Sequence, residues 1–133
     1  MSKKQENRRI GQIGEMIAQK FLKNKGFSII GRNYKLKFGE VDIIAQKEKS
    51  IRFVEVKSVR IPRHLDVTRE NSREGTYRPE ELVHPMKLKK ISQVASIYMD
   101  GKPQDIDYQI DVVTVSIDEA KKVGKCRFIE NVC

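Results

Sequence analysis

Two runs of β-branched and aromatic residues stand close together in this chain: EVDIIAQ (40–46) and IRFVEVK (51–57), parted only by the polar KEKS. Strand-like runs joined by so short a polar link predict a β-hairpin. With the turn centred on Glu48 and Lys49, Ile44 faces Phe53, Asp42 faces Glu55 and Glu40 faces Lys57. Side chains alternate along a strand, so Glu40, Asp42 and Ile44 share one face with Phe53, Glu55 and Lys57. Directly opposed residues have Cβ atoms ~4.5–5.5 Å apart, which sets two carboxylates side by side on a face that is otherwise apolar.

Taken alone, charges on a strand read as a solvated face, here with Glu40 and Lys57 as a cross-strand ion pair. Acid facing acid argues for something else, because like charges directly opposed are destabilising. A divalent cation resolves the conflict. Mg²⁺ prefers oxygen ligands and typically takes one or two carboxylates, keeping water and substrate phosphate in its other positions. Lys57 adds a positive charge near the place where a phosphate or an attacking water would sit. Two acids, a lysine and a metal make a phosphodiester-cleaving centre.

Around this hairpin the chain alternates helical and strand patterns. Ile10, Ile13, Gly14, Ile17, Ala18 and Phe21 recur at helical spacing and predict an amphipathic helix over about 8–25, stopped by Gly26 in a left-handed cap position. Glu15 falls at the border of its apolar arc, where it either leans over the sheet or stays an ordinary boundary residue. FSIIGR (27–32) reads as a short strand. Residues 58–81 mix charges of both signs with Pro62, Gly75 and Pro79, and read as a long charged loop. Pro85 opens a second helical pattern that ends near Asp100 and Gly101. IDYQIDVVTVSI (106–117) is the most β-rich stretch, and KCRFIENV offers one more short strand.

The 133 residues predict one domain, and 27 Lys and Arg against 18 Asp and Glu give a formal charge of +9. Such an excess points to a polyanion, nucleic acid first. Between Glu15 and Glu40 there are six basic residues and no acidic one, with Lys35 and Lys37 nearest the hairpin, a candidate phosphate-binding wall. No apolar stretch approaches the ~20 residues that span a bilayer, and the N-terminus lacks a signal-peptide core, so a cytoplasmic protein without a membrane role is expected. Cys126 and Cys133 form no disulfide framework, and with His64 and His84 they give no zinc spacing.

The order Glu15 on a helix, Asp42, then Glu55-x-Lys57 resembles the PD-(D/E)XK nuclease superfamily. More closely, GQIGEMIAQKFLKNKGF, NY, FGEVDIIA, FVEVKSVR, VHPMKLKKI and YQIDVV are similar to the YraN family of predicted endonucleases, related to archaeal Holliday junction resolvases. The likeness runs from about Gly11 to Val115. The short E-x-K motif is weak by itself, and the whole series in order is specific. In this chain the first motif reads Val41-Asp42 without the proline of the superfamily's name. Gln93 and Tyr98 are one residue too far apart for a Q-x3-Y helix motif, and Gln109 and Ile110 replace an Arg and a Phe of the family.

The resemblance implies a restriction-endonuclease-like fold: a three-layer α/β/α core around a central mixed β-sheet, in the order α-β-β-β-α-β with one further strand. It implies DNA hydrolysis with Mg²⁺ or Mn²⁺, with branched or junction DNA as a candidate substrate. Asp42, Glu55 and the main-chain carbonyl of Val56 would bind the metal, Glu15 would complete its shell through water, and Lys57 would orient the attacking water. Lys35, Lys37, Arg60 and Lys87 are the candidates for DNA contacts. A homodimer is expected by analogy with resolvases, which cut two strands symmetrically. The competing reading is a non-catalytic DNA-binding module or scaffold with the same fold.

Overall fold

The computed structural model describes residues 2–61 and 83–132. Helix α1 (Lys3–Asn24) is followed by strands β1 (Ser28–Leu36), β2 (Gly39–Lys47) and β3 (Ser50–Arg60), helix α2 (Pro85–Met99), and strands β4 (Asp107–Asp118) and β5 (Val123–Ile129). The five strands form one sheet in the order β1-β2-β3-β4-β5, antiparallel except for the parallel β3–β4 pair, so the sheet is mixed. The parallel pair is what a crossover carrying α2 requires.

Each helix covers its own apolar surface of the sheet. Ile10, Ala18 and Leu22 of α1 pack with Ile43, Val54, Val113 and Val115. Leu88, Ile91, Val94 and Ala95 of α2 pack with Val41, Ile44, Phe53 and Val112. This is the three-layer α/β/α arrangement expected of the chain.

Three boundaries differ from the sequence expectation. Helix α1 starts at Lys3 and not near residue 8. A capping box starts it: the Ser2 hydroxyl accepts from Gln5 N–H at 3.1 Å, and Gln5 Oε1 accepts from Ser2 N–H at 3.0 Å. Its first turns are polar, so apolar periodicity could not mark them. Strand β1 runs on to Leu36, through a bulge at Ile30 and an Asn33 with φ of 48°, both of which blur alternation. Strand β3 runs on to Arg60, so only the remainder of the expected 58–81 loop follows it, and residues 62–81 lie outside the described residues. Gly26, with φ of 97°, ends α1 as expected.

At the far end of the sheet, Asp111 is fully buried. It accepts from Arg52 Nη1 at 3.0 Å, Gln109 Nε2 at 2.8 Å and Asn131 N–H at 2.8 Å. Val132 N–H adds a bond to Ile110 O at 2.8 Å, so the last described residues are fastened along β4.

A candidate active site where two strands part

The hairpin has the expected register over its regular part: Ile44 faces Phe53, Ile43 faces Val54 and Ala45 faces Arg52. The pairing of β2 with β3 stops at Ile43–Val54. Beyond it, Val41 belongs to the apolar cluster under α2 while Ile43 belongs to the one under α1, so the alternation of faces reverses across Asp42. Asp42 and Glu55 are therefore not ladder partners, and neither are Glu40 and Lys57. Asp42 Oδ2 instead accepts from Val56 N–H at 2.8 Å, filling the place of a main-chain acceptor where the strands part. The expected neighbourhood of the two acids survives by this side-chain route.

Glu55 is 4% exposed. Its Oε1 is buried and has no hydrogen-bond partner among the described residues, while Oε2 forms an ion pair with Lys87 Nζ from α2. Burial, and then the neighbouring Asp42 carboxyl, push the Glu55 pKa up to about 8 against the lowering pull of Lys87. Glu15 is also raised, by burial first and then by the charges of Asp42 and Glu40. Lys87 is raised too: burial works against its charge, and Glu55, Asp42 and Glu40 outweigh it.

An open cleft of about 460 Å³ lies between α1 and the seam, lined among others by Glu15, Asp42, Glu55, Val56, Arg60 and Lys87. A second cleft of about 390 Å³, lined by Glu40, Asp42, His84, Met86, Lys87 and Lys90, adjoins the N-terminus of α2. Asp42 and Lys87 border both. Helix α1 comes close because residue 14 is glycine: a Cβ there would overlap the Ser58 hydroxyl and lie 2.8 Å from the Ser58 Cβ. That contact carries the adjacent Glu15 into the first cleft.

The structure thus brings together Glu15, Asp42, Glu55, Val56, Arg60 and Lys87. Lys57 is exposed and borders neither cleft. Lys35 and Lys37 are exposed, at the end of β1 and in the turn beyond it. Arg60 belongs to β3, where its Nη1 meets Glu6 at 2.9 Å and Glu119 at 3.1 Å, the same two acids that Arg9 binds.

A metal can be tested against these groups. Among the described residues, no three His, Cys, Asp or Glu side chains converge as a ready-made cage. Mg²⁺ needs only one or two carboxylates, however, and the orphaned Glu55 Oε1 beside Asp42 lacks just such a partner. The residues fit it. Sequence reasoning missed the Lys87–Glu55 contact, although a lysine in the first turn of a helix was a visible oddity.

Comparison with known proteins gives the following. The model of the uncharacterised protein family UPF0102 matches residues 14–115. A UPF0102 protein of Syntrophomonas wolfei is 34% identical over 116 residues, covering 86% of this chain and 90% of its own. One of Geotalea daltonii is 38% identical over 113 residues, covering 84% and 80%. One of Dictyoglomus thermophilum is 34% identical over 126 residues, covering 94% and 97%. Among solved structures, Pyrococcus furiosus SfsA in complex with Ca²⁺ is 17% identical with a TM-score of 0.36; the match covers 93% of this chain and 63% of that protein.

Proposed function

This chain belongs to the uncharacterised protein family UPF0102, the YraN family that its sequence resembles, and on that footing we propose that it is a metal-dependent endonuclease acting on DNA. One observation carries the reading: a buried carboxylate oxygen of Glu55, unpartnered among the described residues, stands beside Asp42 at the edge of an open cleft. Burying a carboxylate without a full set of partners is costly, and a site whose work needs the charge justifies it.

Asp42, Glu55 and the Val56 carbonyl would hold Mg²⁺ or Mn²⁺, with Glu15 reaching it through water. The ion, when bound, supplies Lewis-acid polarisation of a phosphodiester and a more acidic water. Glu15, whose desolvation raises its proton affinity, borders the first cleft and would face an attacking water there. Lys57 would steady that water from its exposed position on β3. Lys35 and Lys37 would meet the DNA backbone, and Arg60 would do so where its two acids leave its exposed side open. Branched or junction DNA as substrate, a homodimer to cut two strands, and a cytoplasmic location complete the proposal. Among the described residues, no helix is long and apolar enough to cross a membrane.

The exposed Lys57, away from both clefts, favours a second reading: a non-catalytic DNA-binding module or scaffold on the same fold. The deciding experiment incubates purified protein with junction, flap, duplex and single-stranded DNA in Mg²⁺, Mn²⁺ or chelator. Metal-dependent cleavage abolished by Asp42→Asn is the expected result. Binding without cleavage of any substrate, in every metal, would leave the module.

A further inference from the structure

Lys87 is an odd residue to find in the first turn of a helix. It follows Pro85 and Met86 at the start of α2, and that first turn carries no acidic residue. The partial positive charge of a helix N-terminus makes a cation there unfavourable, where Asp or Glu would be stabilising. The side chain nevertheless lies against Glu55. Its side chain is 54% exposed and that of Glu55 only 5%, so the ammonium approaches a buried acid from the solvent side. It also borders both clefts, together with Asp42.

We infer that Lys87 is an exchangeable partner of Glu55: its ammonium occupies the buried carboxyl group while the metal is absent, and metal binding releases it to contact a DNA phosphate. The inference rests on the reading of Asp42 and Glu55 as metal ligands. Two cations cannot share one buried carboxylate without strong repulsion, so an ion held by Asp42 and Glu55 weakens the hold on Lys87. Lysine suits the exchange. Its ammonium is a compact charge on a flexible four-carbon stem, and it binds phosphate as a point charge with no fixed geometry. Half-exposed in the wall shared by the two clefts, the displaced ammonium would face a DNA strand lying in either. Metal and DNA would then bind cooperatively, each favouring the state in which Lys87 has left Glu55.

The test measures DNA affinity with a hydrolysis-resistant phosphorothioate duplex, in Mg²⁺ and in chelator, for wild type and Lys87→Gln. Calorimetric titration of Mn²⁺ into both proteins accompanies it. A released, charge-assisted phosphate contact makes Lys87→Gln bind roughly tenfold more weakly in Mg²⁺, against less than about twofold in chelator. The ammonium signal of Lys87, followed by ¹H–¹⁵N correlation in ¹⁵N-lysine-labelled wild type, should move when Mg²⁺ is added without DNA. An equal loss of affinity in both conditions, no loss in either, or an ammonium signal indifferent to saturating Mg²⁺ overturns the exchange and leaves the nuclease reading intact. A wild type that takes up no metal overturns both. If Lys87→Gln does not fold, the wild-type lysine spectrum decides alone.

Discussion

At the scale of single residues, Glu55 makes the clearest claim. Its pKa stands at about 8 in the folded protein, against an ordinary value of 4.5. Between those values the folded protein keeps a proton that the unfolded chain has released. In chelator, the Glu55 contribution to stability is therefore full at the acidic end and is lost as the pH rises through about 8. Glu15 shifts the same way. Glu55→Gln removes the larger part, so its melting temperature should fall less than that of wild type between about pH 5 and pH 8. A wild type whose melting temperature falls no more than that of the Gln variant across that range would contradict the burial of this acid. Asp42 separates charge from geometry. Asp42→Asn keeps an oxygen for Val56 N–H and removes the conflict with Glu55, so without metal it should melt no lower than wild type. Asp42→Ala orphans that amide and should cost about 1–3 kcal/mol in chemical denaturation. The two acids were legible in the sequence because a four-residue link folds the two strands back on each other, although the ladder pairing that alternation implied for them does not form. Lys87 was legible only as one of several basic candidates, since its partner comes from a distant strand and only the packing of α2 brings them together.

At the scale of elements, the site depends on how closely α1 lies on β3. Gly14→Ala gains helix propensity, yet its methyl group meets the Ser58 Cβ, which cannot rotate away. Net destabilisation of about 1–3 kcal/mol is expected, as for other overpacked contacts, with Ser58→Gly restoring much of it in the double variant. Thermal or urea unfolding of the four proteins in the cycle checks this. An additive cycle would mean that helix and strand do not meet at this point. The register of the hairpin, the extent of α2 and the β-rich stretch of β4 were readable from period and turn length. The reversal of faces at Asp42 was not. It coincides with a left-handed Asn33 in the neighbouring strand, between the pairs Arg32–Ile43 and Tyr34–Val41, and that leaves no mark on the hydrophobic pattern of β2. The early start of α1 was legible in principle, as Ser2 and Gln5 at capping-box spacing.

At the scale of the whole molecule, the proposed function would have a charge of +9 and a metal site act on the same ligand. DNA affinity in chelator should fall steeply with salt, as phosphate contacts release counterions. Saturating Mn²⁺ should raise the melting temperature of wild type, and that of Asp42→Asn by much less; at 100 times Kd, linkage supplies about 2.7 kcal/mol. Equal gains in both proteins would place the bound ion elsewhere. The fastening of Asn131 and Val132 along β4 has a consequence of another kind. Their amides are held by a buried carboxylate and by the carbonyl of Ile110, so they should exchange hydrogen with solvent at rates set by opening of the sheet and not by fraying. Trimming the chain by a few residues at that end is then a change to the interior: it takes from Asp111 one of the three donors that make its burial tolerable.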